Sequence, residues 1–216
     1  MARLRSPTGC PWDREQDHKT LRWHAVEEVY ELLDAIEAED DHEIVEELGD
    51  LLLQVVFHAQ LGKERRAFNF DSVVRHLVEK LVRRHPHVFG KLKVKDVDQV
   101  WANWEKIKRS EKHGTRHARP SALDGIPKHL PALLRAEKLM KKARRAGLIS
   151  KTAPKRKLSR SQLASQLFKL ATVAHAKGWS AEELLLAEVR RTEKLLRQKE
   201  LATGQLALPA KAIRSR

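Results

Sequence analysis

The sequence predicts an all-α protein, and three observations support this fold class. Apolar residues recur at three- and four-residue spacings through most of the chain, as they do along the buried face of a helix. Glycine and proline are sparse, at 9 and 8 of 216 residues, and lie mostly between these periodic stretches. No convincing pair of segments with alternating apolar residues indicates paired strands. We therefore expect a bundle of helices without a β-sheet.

The first half of the chain is expected to contain four helices. Their apolar spacing persists over about 19–39, 42–62, 71–84 and 97–112. Only a short acidic turn, from Glu39 to Asp41, separates the first two predicted helices. Those two helices can pack antiparallel across this turn, because a short connection reverses the direction of the chain.

The second half is predicted to begin with a linker, because proline and glycine cluster at Pro120, Gly125, Pro127 and Pro131. Three helices are expected after this linker, over about 132–145, 161–177 and 180–200. A basic, turn-rich connection over 147–160 separates the first of them from the second.

Charge is distributed unevenly along the chain. The net charge is +14, but residues 1–60 carry −10, residues 61–110 carry +7 and residues 111–216 carry +17. A carboxylate cluster that binds cations, beside basic residues that bind the accompanying anion, would produce this pattern. Two unrelated surfaces would produce it as well, so the charge distribution alone does not decide the function.

Composition excludes several classes of protein. Hydrophobic residues make up 41% of the chain, which is enough for a folded core. The most apolar run, Leu51 to Leu61, is too short to span a bilayer and contains Gln54 and His58. We therefore expect no membrane segment and a cytoplasmic location. The single cysteine, Cys10, excludes an internal disulfide framework and leaves too little sulfur for a zinc-thiolate site.

Two acidic clusters are candidates for a metal site. The carboxylates at spacings of three and four lie on the first two predicted helices: Glu27, Glu28 and Glu31, then Glu47 and Asp50. If these helices pack antiparallel, the two acidic faces can surround a divalent cation with oxygen ligands. Such a site favours Mg²⁺ or Mn²⁺, whereas Zn²⁺ prefers histidine or cysteine.

The alternative is that these residues are ordinary solvated acids, but the second predicted helix argues against this. At about 100° per residue, its apolar side chains cover nearly the whole circumference, and the polar strip between them consists of Glu47, Asp50, Gln54 and His58. We therefore expect this helix to be buried almost all round. Buried carboxylates need a cation, and no Lys or Arg precedes Lys63 on this helix.

Six motifs occur in order along the chain: Cys10 to Asp13, Glu27 to Glu31, Glu47 to Asp50, Leu51 to Gln60, Arg83 to Phe89, and Trp104 to Lys108. In this order and spacing they closely resemble the MazG family of nucleoside triphosphate pyrophosphohydrolases, densely over residues 4–147 and thinly afterwards. The resemblance implies a MazG-like helical bundle that usually works as a homodimer. It also implies Mg²⁺-dependent hydrolysis of NTPs, and often dNTPs, to the monophosphate and pyrophosphate.

The resemblance also assigns roles to residues. Four carboxylates match the metal ligands of the family: Glu28, Glu31, Glu47 and Asp50. Glu27 matches the first acid of the motif, a candidate to support the ligands or to activate water. Lys80 and Arg84 match residues that hold the triphosphate, and Trp104 and Lys108 match a second substrate-binding pair. Without the resemblance, Lys80 and Arg84 would indicate a solvated helix face and Trp104 a core position.

The second half departs from the family pattern. We expect a catalytic domain over 1–118, a linker and basic connection over 119–160, and a degenerate, shortened second MazG-like region with a tail over 161–216. Between Glu137 and Glu182 there is no Asp or Glu, and the best candidate for the second acidic motif is Gln162 to Ser165. A site without carboxylates cannot hold magnesium.

Two other functions remain alternatives. One is a catalytically inactive protein that keeps the fold and binds nucleotides or nucleic acid, motivated by the charge of +17 after residue 110. No helix-turn-helix, zinc-finger or RNA-binding motif supports it. The other is a helical scaffold that binds a partner, which would show no metal-dependent change in stability.

Overall fold

The protein is helical throughout the part of the chain that its structure, a computed structural model, describes. Those residues are 1–111, 115, 118, 120–150 and 158–203, and they contain no β-strand, which confirms the predicted fold class. The predicted tail, much of the basic connection and the predicted end of the fourth helix at Lys112 lie outside the described residues. The chain divides into two compact units, Met1–Trp104 and Glu105–Arg216.

The first unit consists of short helices around three long ones. Their order is α1 (Pro11–Glu15), a 3-10 turn (Thr20–Arg22), α2 (His24–Glu37), α3 (Asp41–Glu64), α4 (Phe70–Arg84), α5 (Pro86–Phe89) and the start of α6 (Val97–Ser110). The three predicted helices that correspond to α3, α4 and α6 begin within one residue of their predicted starts. The first predicted helix begins later, because the 3-10 turn occupies its expected first turn.

A tight turn joins α2 to α3. Glu39 has a left-handed backbone with φ of 56°, which ends α2 and reverses the chain. The Asp40 carboxylate then accepts hydrogen bonds from the backbone N–H groups of His42 at 2.9 Å and Glu43 at 3.3 Å. It thereby caps the first turn of α3. The two helices pack against each other as an αα-hairpin, and this packing is the condition on which the metal-site hypothesis depends.

The core of the first unit lies at the carboxyl end of α3. Phe57 and Leu61 are buried there against Leu21 of the 3-10 turn, with Met1 packed beside them. Arg5 closes this end, because its guanidinium contacts Glu64 of α3 at 2.8 Å and lies 5.5 Å from the centre of the Phe57 ring. The N-terminal segment is thus attached to α3 by both apolar and ionic contacts.

The expectation that α3 is buried almost all round is wrong for the single chain. Val45 is 70% exposed, Leu48 50% and Leu52 54%. The periodicity shows which faces of a helix are apolar, but it does not show which neighbour covers each face. Here α2 and α4 pack on α3, and they leave this row of apolar side chains uncovered.

The second unit is built on three helices, α7 (Ala132–Arg145), α8 (Arg160–Ala176) and α9 (Ala181–Ala202). α7 has the predicted bounds, and α8 and α9 start within one residue of theirs. Leu139 and Ala143 of α7 pack with Val189 and Leu196 of α9 in its core. No helix within the described residues is both long and apolar enough to cross a bilayer.

Candidate metal and nucleotide site

Three carboxylates converge between α2 and α3. Glu28 projects from α2, and Glu47 and Asp50 project from the facing side of α3. One carboxylate oxygen from each lies within 4.8 Å of the other two, and all three side chains are half-buried. The turn of the hairpin sets the register between α2 and α3. It therefore brings together carboxylates that the sequence placed on separate helices.

Two further predicted acids lie on α2 at the edge of this group. Glu31 follows Glu28 by one helical turn and is exposed, but it is close enough to raise the pKa of the Glu47 carboxyl. Glu27 is also exposed, and its carboxylate lies 3.6 Å from the imidazole of His24. The structure thus gathers three of the five predicted acids tightly and leaves these two accessible to solvent.

The electrostatics of the cluster favour a cation. Burial, and then the neighbouring Asp50 carboxylate, raise the pKa of Glu28. Burial, and then Glu31 and Asp50, raise the pKa of Glu47. One oxygen of Glu47 is inaccessible to solvent and has no hydrogen-bond donor among the described residues. An all-oxygen donor set with a buried, unsatisfied carboxylate oxygen is chemically suited to a hard divalent cation.

Gln54 belongs to the same site, although the sequence reasoning did not select it. It lies on α3 one turn after Asp50, and its amide nitrogen is 3.3 Å from a carboxylate oxygen of Glu28. Its position in the polar strip of α3 was visible in the sequence. Its contact with α2 was not, because that contact depends on how the hairpin packs.

Two of the residues predicted to bind substrate, Arg84 and Trp104, contact each other. The Arg84 guanidinium, at the end of α4, lies 5.1 Å from the centre of the Trp104 ring, and the His85 ring meets the same indole edge-on at 5.1 Å. Lys80 lies one turn before Arg84 on α4 and is half-buried. Lys108 lies one turn after Trp104 on α6, with its ammonium 4.0 Å from Glu105.

Comparison with known proteins places this arrangement in a family. Residues 16–89, which include the whole α2–α3 hairpin, match the MazG nucleotide pyrophosphohydrolase domain. A 26.1 kDa protein encoded 3′ of blaB in Streptomyces cacaoi is 42% identical over 189 residues, which cover 87% of this chain and 74% of that protein. The chain belongs to the MazG family.

Two further relatives share only part of their length with this chain. The nucleoside triphosphate pyrophosphohydrolase of Escherichia coli K12 is 47% identical over 148 residues, which are 68% of this chain and 56% of that enzyme. YabN of Bacillus subtilis is 52% identical over 138 residues, which are 64% of this chain and 28% of that protein. The chain thus matches about half, or less, of the length of these two relatives.

The position predicted for a second acidic motif has a different role in the structure. Gln162 lies in the first turn of α8, where its side-chain oxygen accepts the backbone N–H of Ser159 at 2.9 Å. The Ser159 hydroxyl in turn accepts the N–H of Gln162 at 3.2 Å. This reciprocal pair is a capping box that begins a helix, so Gln162 stabilises the start of α8.

Proposed function

We propose that this protein hydrolyses nucleoside triphosphates, ribo- or deoxyribo-, to the nucleoside monophosphate and pyrophosphate in a Mg²⁺-dependent reaction. The observation that carries the proposal is the convergence of Glu28, Glu47 and Asp50 within 4.8 Å across the hairpin. Membership of the MazG family, and similarity to an E. coli protein named nucleoside triphosphate pyrophosphohydrolase, support the same reaction.

Glu28, Glu31, Glu47 and Asp50 are proposed to hold the metal. Mg²⁺ is the first choice and Mn²⁺ the second, because every donor in the cluster is a carboxylate oxygen. The ion would supply positive charge that stabilises the triphosphate and the departing pyrophosphate. The ion would also offset the burial and the carboxylate repulsion that raise the pKa values of Glu28 and Glu47.

The substrate is proposed to be held by basic and aromatic side chains. Lys80 and Arg84 project from one side of α4 and provide fixed charge for the phosphate oxygens. Trp104 offers an indole face on which a base can stack, and stacking tolerates any base. Lys108, on the same helix as Trp104, adds a further cation for the anionic substrate.

The chemical step requires water to attack the α-phosphorus. The new bond joins the water oxygen to the α-phosphorus, while the bond between that phosphorus and the bridging oxygen of the pyrophosphate breaks. The attacking water must lose a proton, and Glu27 is proposed to accept it. This carboxylate is solvent-exposed at the edge of the cluster, where it can exchange the proton with bulk water.

We also propose that the protein is a homodimer. α2 exposes a row of apolar side chains on the side away from its carboxylates, including Val26, Leu33 and Ile36. α3 exposes Val45, Leu48 and Leu52 in the same way. Exposed rows of this kind are characteristic of helices that pack against a second subunit.

The domain assignment is likewise a proposal. We propose that residues 1–118 form the catalytic domain and that residues 161–216 are a degenerate second MazG-like region joined to it by a linker and a basic connection. The absence of any Asp or Glu between Glu137 and Glu182 supports this assignment, because a second metal site would need carboxylates.

The test is to incubate the purified protein with Mg²⁺ and each of the eight common NTPs and dNTPs, and to separate the products by ion-exchange chromatography. Monophosphate plus pyrophosphate, lost on chelation and in the Asp50→Asn variant, is the expected result. Diphosphate plus phosphate would indicate attack at a different phosphorus. No product, together with salt-sensitive binding of DNA or RNA, would favour the non-catalytic nucleic-acid-binding alternative.

A further inference from the structure

Gln54 is a buried polar side chain in an unusual position. It lies on α3, which also carries Glu47 and Asp50, and it is only 7% exposed. A glutamine amide offers two donor hydrogens and an acceptor oxygen, so its burial is costly unless these groups find partners.

The amide nitrogen of Gln54 has a partner on the opposite helix. It donates a hydrogen bond to a carboxylate oxygen of Glu28 at 3.3 Å, across 26 residues of sequence. The Gln54 amide oxygen has no donor among the described residues and is inaccessible to solvent. Turning the amide over would place its oxygen against the Glu28 carboxylate, and two acceptors repel each other. The charge on Glu28 therefore selects the observed orientation.

We propose that Gln54 is a positioning residue of the metal site, which fixes the carboxylate of Glu28 in the direction of Glu47 and Asp50. The proposal rests on the function proposed above. Glu28 is the member of the close carboxylate trio that comes from α2, so without this hydrogen bond its orientation relative to α3 would depend on the metal alone.

The expected energetic effect follows from preorganisation. A glutamate side chain loses conformational entropy when it is fixed in one rotamer. If a hydrogen bond already fixes it in the metal-free protein, less of this entropy is lost when the metal binds. Removing a group that orients a metal ligand typically weakens metal affinity by about 10- to 100-fold. A role in packing alone would affect the stability of the fold and leave metal affinity unchanged.

Gln54→Met separates these two roles, because methionine keeps the length and volume of the side chain and removes both hydrogen-bonding groups. Gln60→Met is a matched control on the same helix. The Gln60 amide nitrogen donates to a carboxylate oxygen of Glu64 at 3.0 Å, which is the same type of contact outside the metal site. Gln54→Leu provides a second variant in case the Gln54→Met protein fails to fold.

The experiment measures Mn²⁺ binding to the 216-residue chain without nucleotide, by calorimetry and by electron paramagnetic resonance, together with the melting temperature of each metal-free variant. Mn²⁺ affinity should fall about tenfold in Gln54→Met and stay unchanged in Gln60→Met. The Mg²⁺ concentration that gives half-maximal hydrolysis should rise by a similar factor in Gln54→Met.

Two results would overturn the proposal, and they can be told apart. If the wild type binds Mn²⁺ in a manner that Asp50→Asn abolishes, but folded Gln54→Met or Gln54→Leu binds with unchanged affinity, Gln54 has no positioning role. If the wild type binds no Mn²⁺, the metal site itself is wrong, and the positioning role and the proposed function are both rejected.

Discussion

At the scale of single residues, the carboxylates that are proposed to bind the metal repel one another in the metal-free protein. Three carboxylates lie close together with no Lys or Arg paired to them among the described ion pairs. Partial burial, and then the repulsion of neighbouring carboxylates, raise the pKa values of Glu28 and Glu47. A raised carboxyl pKa means that the metal-free protein is stabilised at low pH and loses that stabilisation as the pH rises through the raised pKa.

Replacing Glu47 tests both the repulsion between the carboxylates and their proposed role as metal ligands. In Glu47→Gln, the metal-free protein should melt at a higher temperature than the wild type at neutral pH, because one repelling charge is absent. Hydrolysis should fall more than about 100-fold, and Mg²⁺ should no longer raise the melting temperature. Glu43→Gln, in the exposed first turn of α3, is the control and should match the wild type in both measurements. Full activity in Glu47→Gln would contradict the ligand assignment.

A histidine pair beside the core gives the first unit a dependence on pH. The Nδ1 atoms of His18 and His58 lie 2.8 Å apart, and Arg65 lies 2.9 Å from Nε2 of His18. Because a guanidinium only donates, His18 must accept at Nε2 and carry its proton on Nδ1, from which it donates to His58. His58 must therefore carry no proton on Nδ1, so that this nitrogen can accept the hydrogen bond. Burial, and then the nearby His18, lower the pKa of His58.

Acidification should therefore weaken the contribution of the histidine pair to the stability of the first unit, a change opposite in direction to that of the Glu28 and Glu47 carboxyls. A lowered histidine pKa contributes stability above the unfolded value of about 6.5, and this stability is lost as the pH falls below it. In chemical denaturation between about pH 7.5 and 5.5, the pair should contribute to the slope of unfolding free energy against pH a loss of about 1 kcal/mol on acidification, the typical net value of one hydrogen bond. His58→Phe should remove this contribution to the slope of unfolding free energy against pH. His42→Gln, at an exposed position, should leave the slope unchanged. An equal slope in His58→Phe would exclude the pair as its cause.

At the scale of elements, the sequence predicted the long helices and missed the short ones. α1 and α5 have five and four residues, which is too short for a helical period to appear in the apolar pattern. The α2–α3 hairpin was predictable because its turn is short and acidic and both helices are long. The sequence did not predict that Gln54 belongs to the site, because this depends on its hydrogen bond to Glu28 on the opposite helix.

In the second unit, α9 provides a buried anchor for the segment that precedes α7. Glu200 is 1% exposed and accepts hydrogen bonds from the Ser121 hydroxyl at 2.5 Å and the Ala122 backbone N–H at 2.7 Å. Both donors would lose their partner if this carboxylate were removed.

Glu200→Ala should destabilise the second unit by about 2–4 kcal/mol, because one buried and one half-buried donor are left without their acceptor. Urea unfolding followed by circular dichroism measures this change. Glu188→Ala on the same helix is the matched control. Glu188 lies at the surface, where it pairs with Arg191 and Thr192 of the same helix, so its removal should leave the unfolding curve nearly unchanged. Equal curves for both variants would show that the buried anchor is not important for stability.

At the scale of the whole molecule, the exposed apolar rows on α2 and α3 are the main departure from what the sequence predicted. The pattern correctly identified α3 as apolar over most of its circumference, and the error was to assume that one chain covers all of it. If the protein is a homodimer, the expectation of burial holds for the assembly rather than for the subunit.

The dimer can be tested by placing a charge in the exposed row. Sedimentation equilibrium of the wild type should give twice the chain mass of 24.8 kDa. Leu52→Glu should shift the equilibrium towards the single chain, because a carboxylate would be buried in the interface. Lys63→Glu, at an exposed position near the end of α3, should leave the mass unchanged. A wild type that sediments as a single chain would contradict the proposed dimer.

The tight turn at Glu39 and Asp40 also has a consequence for the order of folding. The three close carboxylates lie on adjacent helices within 23 residues of one another, so their meeting requires closure of only a short loop. The entropy cost of such a closure is small, and local contacts form early. We therefore expect the metal site to assemble as soon as the hairpin does. During synthesis, a nascent chain could bind its ion before the second half has left the ribosome.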